Sequence, residues 1–225
     1  MNIARYLDHA VLKPSLTLEE RKEAIQLGID YHVKTVCVHP CDIELAKEMC
    51  AGTDTDVICV LDFPHGQATP EAKEMLAELY AKQGVKEIDM VLNYGYLRGG
   101  AADKTEDEVR RVVNKAHGYG IPVKVIFETS ELTDAQIELG VKACIAAGAD
   151  FVKTSTGFSK CGATMEAVTC MLKAADGRIK VKPSGGIRDI ATARKYVEMG
   201  AARLGVGYTT TPVLCKGEGE SNEAY

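Results

Sequence analysis

The stretch ADFVKTSTGF (149–158), with VKPSGGIR (181–188) after it, decides how this chain is read. Each is a short apolar run that carries a lysine near its end, Lys153 or Lys182, and then enters a glycine-containing loop. Lysine is rare in protein interiors, because a buried ammonium without a partner is costly. Two of them at matching places in successive strand-like segments require a reason. An amine nucleophile beside a second cation supplies one.

Working outward from this pair, the chain alternates between strand and helix. Strands are predicted over 7–12, 34–39, 57–63, 87–93, 123–128, 150–155, 179–183 and 203–207. Helices are predicted over 17–28, 41–50, 70–83, 105–117, 134–147, 163–175 and 190–199. Glu19 and Glu20 fall in the first turn of the helix that opens at Thr17, proline stands at 70, and Gly148 stops the helix before it. Eight strand–helix units of about 30 residues each predict a single (β/α)8 barrel, a TIM barrel, over residues 1–215. The alternative is a doubly wound open sheet, but no GxGxxG fingerprint follows the first strand. The polar segment KGEGESNEAY (216–225) is expected to be a mobile tail.

Composition narrows the function. The net charge of −5 with mixed signs argues against nucleic acid as a partner. No apolar run approaches the roughly 20 residues of a membrane span. MNIARYLDH at the start lacks the apolar stretch of a signal peptide, so the expected location is the cytoplasm. The eight cysteines form no CxxC pair or zinc-type spacing. They are expected to be reduced thiols, with no metal and no cofactor.

In a barrel, chemistry gathers at the C-terminal strand ends, and alternate side chains point inward. An inward Lys153 brings Phe151 and Ser155 with it, and Lys182 brings Lys180 and Ser184. Asp89 shares a face with Glu87, Val91 and Asn93, and Lys124 with Ile126 and Glu128. A layer of Asp89, Lys153 and Lys182 is therefore expected, above a second polar layer of Glu87, Lys124 and Lys180. A free lysine, with a pKa of about 10.4, is not nucleophilic at neutral pH; a nearby ammonium and burial activate it for imine formation. Asp89 is the carboxylate best placed to shuttle protons. Asp8 is read as polar support or as an acid–base partner of His9. His39 and His65 follow strands without a defined role, and Cys37 is read as core. Gly157, Gly185, Gly186, Gly205 and Gly207 are read as following the last three predicted strands, in loops where backbone N–H groups can hold a phosphate.

At these residues the chain resembles the deoxyribose-phosphate aldolases. The motifs are LDHAVLKP (7–14), CVHP (37–40), DFPHG (62–66), EIDMVLN (87–93), KVIFET (124–129), ADFVKTSTGF and VKPSGGIR, in order along nearly the whole chain. The resemblance implies a metal-free class I aldolase that reversibly cleaves 2-deoxy-D-ribose 5-phosphate to acetaldehyde and glyceraldehyde 3-phosphate. It implies Lys153 as the Schiff-base lysine, Lys182 as the lysine that perturbs it and Asp89 as the proton-relay acid. It also implies a cytoplasmic homodimer or homotetramer, and a C-terminal tyrosine, here Tyr225, that aids proton transfer in some members. Departures are Ala10 for the family's threonine, Lys180 where the family has glycine, and RLGVGYTTTP (203–212) for a Gly-Thr-Ser-Ser loop. Lys180 is expected to pair with Glu87, since an unpaired charge inside the barrel is expensive. Thr209 or Thr210 is a possible substitute for the missing phosphate hydroxyls. Two other readings follow: imine chemistry on a non-phosphorylated deoxy sugar or other aldehyde, and a non-catalytic barrel that binds a phosphate ligand.

Overall fold

In the computed structural model, which describes residues 1–217 and 219, eight parallel strands form one closed barrel. They are β1 (Leu7–Val11), β2 (Thr35–Val38), β3 (Asp56–Leu61), β4 (Ile88–Val91), β5 (Val123–Ile126), β6 (Phe151–Lys153), β7 (Lys180–Lys182) and β8 (Leu204–Gly207). Strands β1 to β7 pair in sequence order, and β8 returns to β1. The last seam, β7 to β8, is stitched by a bridge between Ser184 and Gly205, with Gly205 N donating to Pro183 O at 2.8 Å.

The helices are α1 (Leu18–Asp30), α2 (Ile43–Cys50), α3 (Pro70–Lys82), α4 (Tyr94–Arg98), α5 (Ala102–His117), α6 (Asp134–Ala147), α7 (Met165–Ala175), α8 (Ile190–Glu198) and α9 (Thr211–Lys216). Local chemistry sets several of their ends. Thr17 and Glu20 form a reciprocal capping box on α1, Thr133 and Gln136 another on α6, and Gly148 ends α6 in the left-handed conformation. Two short helices escape the sequence pattern. The α4 segment is a single turn capped by Asn93 and Gly99, too short to show a period; α9 opens with Pro212 beside the first turn and runs through Lys216. The barrel therefore extends one helix past its last strand, and the expected tail begins after Lys216.

Strand alternation sorts the side chains into two layers. Leu7, Val36, Val57, Cys59, Met90, Val125, Val152, Val181 and Leu204 face the helices and build the main core with them. The alternate residues face the barrel axis. On β1–β3, above Asp8 and Thr35, these are Ala10, Cys37, Ile58 and Val60, which with Leu12 form a separate apolar cluster under Phe63. On β4–β8 they include Asp89, Lys124, Lys153, Lys180 and Lys182.

Two buried polar devices tie the layers together. His9, fully buried, points outward from β1; its Nε2–H donates to Ala24 O of α1 at 2.8 Å, and Nδ1 accepts from Thr211 Oγ1 of α9 at 2.8 Å. Asp8 faces the other way, so the two are not an acid–base pair. Lys73, fully buried on α3, donates to Gly66 O at 3.0 Å and Val91 O at 2.8 Å, and pairs with Glu108 of α5 and with Asp62 at 3.4 Å. Glu108 in turn accepts from Asn93 N at 2.9 Å, so this pair fixes the chain where it leaves β3 and β4.

Removing one partner of a buried ion pair strands the other charge. Lys73→Met is expected to destabilise the protein by about 3–5 kcal/mol in urea unfolding, with much of the loss recovered by Lys73→Met/Glu108→Leu. His9 gives a pH signature. Burial pushes it down to about 4, so it is neutral when folded, whereas the unfolded chain takes up a proton near pH 6.5. Its contribution is complete above pH 6.5 and is lost as pH falls toward 4, by about 2 kcal/mol at pH 5. His9→Gln is expected to shrink the pH 7-to-5 difference in unfolding free energy by about that amount.

Candidate active site

Register brings the site together. Asp89 on β4 is level with Lys124 on β5, Ile126 is level with Lys153 on β6, and Lys153 is level with Lys182 on β7. All of these face the barrel axis, so four neighbouring strands aim their polar groups at one volume. Asp89 sits at its centre. Its Oδ1 accepts from Lys124 Nζ at 2.8 Å, and its Oδ2 accepts from both Lys153 Nζ at 2.9 Å and Lys182 Nζ at 2.7 Å.

A second carboxylate, Asp8 on β1, closes the ring. It pairs with Lys182, with Arg203 just before β8, and with Lys124 at 3.6 Å, and it accepts from Thr35 Oγ1 at 2.7 Å. Beneath them Glu87 pairs with Lys124 and, at 2.7 Å, with Arg203. Asp8, Asp89, Lys124, Lys153 and Lys182 are all buried. Three carboxylates thus face four basic side chains. Burial would raise the Asp89 carboxyl, but Lys124, Lys153 and Lys182 outweigh it and hold it well below the usual carboxylate range. Asp8 is held low in the same way, against its burial, by Lys182, Lys124 and Arg203. Burial opposes the charge on Lys124, yet Asp89, Asp8 and Glu87 push its pKa above the ordinary lysine value.

Lys180 does not join this cluster, contrary to expectation. It is exposed at the start of β7 and lies 5.1 Å from the centroid of the Phe151 ring, while Glu87 is taken by Lys124 and Arg203. Phe151, level with Lys180, plugs the barrel floor, and its ring also faces Lys124 and Arg203. Lys124 is correspondingly a bridge between the two layers rather than a member of the lower one. Arg203 was missed by the sequence reading, although it shares the inward phase of Gly205.

The opposite wall of the interior, Ala10, Leu12, Cys37, Ile58 and Val60, is apolar. Burial there pushes the Cys37 thiol up to about 12, in keeping with a core residue. Phe63, from the loop after β3, meets Phe158, from the loop after β6, edge to face at 5.3 Å, and His39 flanks Phe63 at 6.1 Å. His39 Nε2 donates to Leu12 O at 2.9 Å, and His65 is exposed.

The glycines divide into two groups. Gly157, Gly185 and Gly186 lie in the loops after β6 and β7. These loops interlock through Gly162, which the sequence reading passed over: a Cβ there would stand 2.1 Å from the Gly185 carbonyl carbon. Gly205 and Gly207 lie within β8 itself, not in a loop after it. Gly205 is level with Asp8, and a Cβ there would meet Ser184 Oγ at 2.3 Å and crowd Lys182 Cε at 3.2 Å. Its bareness therefore makes room for the lysine. Gly207 leads into a turn of 3₁₀ helix, Tyr208–Thr210, where Tyr208 packs edge-on to His9 and the buried Thr209 Oγ1 has no hydrogen-bond partner among the described residues. Tyr225 lies outside the described residues.

Among the described residues no His, Cys, Asp or Glu group is arranged to hold a metal ion, and no helix is long and apolar enough to cross a membrane. The eight cysteines are unpaired.

Comparison with known proteins agrees with this architecture. The chain is 42% identical over 214 residues to the deoxyribose-phosphate aldolase of Bacillus cytotoxicus, covering 95% of this chain and 96% of that one. Its fold superposes on the structure of the aldolase QR15 with a TM-score of 0.89 at 35% identity, covering 96% and 95% of the two chains. It superposes on the tetrameric deoxyribose phosphate aldolase of Aeropyrum pernix with a TM-score of 0.84 at 29% identity, covering 95% and 89%. The sequence model of the DeoC/LacD aldolases matches residues 3–209. With eight parallel strands, a polar cluster on their inner faces and this match along nearly its whole length, the chain belongs to the DeoC/LacD family of aldolases.

Proposed function

We propose that this protein is a Schiff-base aldolase that reversibly cleaves 2-deoxy-D-ribose 5-phosphate to acetaldehyde and D-glyceraldehyde 3-phosphate. The observation that carries this reading is the sharing of one Asp89 oxygen by Lys153 and Lys182 in a buried cluster with one basic group in excess. With Lys153 reacting as the free amine, three cations balance three carboxylates. Its Nζ attacks the C1 carbonyl, and loss of water gives the iminium. The proton of the C3 hydroxyl passes to the Asp89–Lys182 relay as that cation draws the electron pair of the breaking C2–C3 bond, leaving an enamine on Lys153 and releasing the three-carbon aldehyde. Protonation at C2 and hydrolysis then free acetaldehyde and the lysine.

Asp89 and Lys182 form the proton relay on the floor of the site, where a carboxylate that touches both amines lets a proton pass between them. Lys182 supplies the second positive charge, and Asp8 with Lys124 and Arg203 holds both members in place. The apolar wall of Ala10, Cys37, Ile58 and Val60 suits the hydroxyl-free carbon of the donor. The phosphate goes to the corner formed by Gly157, Gly185, Gly186 and Gly207, with the unpartnered Thr209 hydroxyl as a further donor. The tetrameric Aeropyrum relative supports a homo-oligomer, and eight unpaired cysteines support a reducing compartment, the cytoplasm. A reaction of this kind belongs to the breakdown of deoxyribonucleotides.

Borohydride added with substrate is expected to trap a covalent adduct, which peptide mapping places on Lys153. Lys153→Leu is expected to lose the adduct and at least a thousandfold in kcat. An adduct elsewhere, or full turnover by that variant, refutes the assignment. Asp89→Asn is expected to lower kcat by about 100-fold or more. The phosphate corner predicts a kcat/KM for the phosphorylated sugar at least 100-fold above that for free deoxyribose, and Thr209→Val is expected to narrow that gap.

A further inference from the structure

The mouth of the barrel holds a carboxyl whose surroundings are the reverse of those of Asp89. Glu128 continues the inward phase of β5, two residues beyond Ile126, which is level with Lys153. Two residues of strand span about 6.6 Å, so Glu128 stands one inward position above the lysine, toward the mouth. Its backbone is left-handed, with φ 57° and ψ 63°, a conformation that residues other than glycine and asparagine seldom adopt.

The side chain is only 2% exposed. Its Oε2 accepts from the hydroxyl of Thr156 and, at 3.3 Å, from the Thr156 amide. Thr156 Oγ1 also accepts from Phe158 N at 3.0 Å, so the loop after β6 sets the orientation of the carboxyl before any ligand arrives. The other oxygen, Oε1, is buried and has no hydrogen-bond partner among the described residues. Asp8 Oδ2 also lacks a hydrogen-bond partner but is held in the ion pair with Lys182, whereas among the described residues no ion pair reaches Glu128. A bare carboxyl oxygen in such a place forfeits the hydrogen bonds that water would give it. Burial pushes the carboxyl up, against the Thr156 hydrogen bonds and the Lys153 cation, and Glu131 adds to the rise.

We propose that Glu128 Oε1 binds the hydroxyl next to the aldehyde carbon of the three-carbon product, the C4 hydroxyl of the sugar, and so selects acceptors that carry one. The inference rests on the imine reading. With C1 held at Lys153 on the floor, the breaking C2–C3 bond lies above it, and the rest of the sugar runs toward the mouth past Ile126. The C4 hydroxyl, one carbon past C3 of the breaking bond, is the group that meets Glu128 on this path. It donates to Oε1 and supplies the partner that the protein leaves out. Glu128 then also fixes the rotation about C3–C4 and holds C3 over the enamine. A site built to bind a hydroxyl discriminates strongly against an analogue that lacks it, because the protein group is left unpaired.

The test is the condensation direction, with acetaldehyde as donor and two acceptors: D-glyceraldehyde 3-phosphate, and 3-oxopropyl phosphate, which keeps the phosphate but lacks the hydroxyl. In Glu128→Gln and Glu128→Leu, kcat/KM for glyceraldehyde 3-phosphate is expected to fall about 10- to 100-fold, as for loss of a hydrogen bond to a charged group. With 3-oxopropyl phosphate the change is expected to stay within about threefold. An equal loss with both acceptors, the mark of a merely structural role through Thr156, overturns the proposal, and so does no loss with either. Borohydride trapping of acetaldehyde on the wild type reads the imine without the acceptor. Labelled Lys153 with parallel losses removes only the role of Glu128; no label at Lys153 removes the imine reading and the proposal with it.

Discussion

Everything in the barrel interior depends on the Asp89 carboxylate, which three lysines approach in a space without water-exposed groups. Lys124 holds one oxygen; Lys153 and Lys182 divide the other. Such a cluster survives only as a whole, since removing any member leaves a charge that the apolar surroundings cannot solvate. It also fixes the register of β4 through β7. A slip of one residue would turn Asp89, Lys124, Lys153 and Lys182 toward the helices and put valines on the axis. Strand pairing and chemistry are therefore one constraint, and the mouth loops inherit their positions from it.

The second consequence is a division of the interior. The inward residues of β1–β3 above Asp8 and Thr35 are apolar, and those of β4–β8 carry the charges. A low-dielectric wall facing a charged one strengthens every interaction across the cavity. It also separates two tasks in the proposed reaction: the apolar wall receives a two-carbon donor, and the polar wall handles nitrogen, oxygen and protons. The Phe63–Phe158 contact joins the two walls at the mouth.

The eight strands and the long helices were legible because each is a local pattern: an apolar run ended by glycine, or a capped amphipathic segment. Lys153, Lys182 and Asp89 were legible because inward alternation on adjacent strands follows from counting by two. What escaped needed three dimensions. Arg203 meets Asp8 from 195 residues away. Lys73 looks like any helix-surface lysine until its burial against Glu108 and two carbonyls is seen. Gly162 reveals its purpose only by its closeness to Gly185. Lys180 misled because alternation specifies a face but not a depth: it has the inward phase, yet sits at the open lower rim, where water and the Phe151 ring serve a charge as well as a carboxylate would. The α4 turn and α9 were too short to carry a period.

Two carboxyls flank Lys153, and their environments push them apart. Asp89, below, has three ammonium donors and is held ionised; Glu128, above, has one hydroxyl, one amide and a bare oxygen, and burial raises it. Paired acids driven in opposite directions by their surroundings are a general way for one site to perform different proton and hydrogen-bond tasks at a single pH. In the proposed reaction an ionised Asp89 suits the cations around it. It is a poor partner for an uncharged hydroxyl, because its oxygens are already occupied. Glu128 offers what Asp89 lacks, an unoccupied oxygen held in orientation by Thr156. The loop that anchors it begins immediately after Lys153, so the same strand end places both the proposed nucleophile and the support for the carboxyl above it.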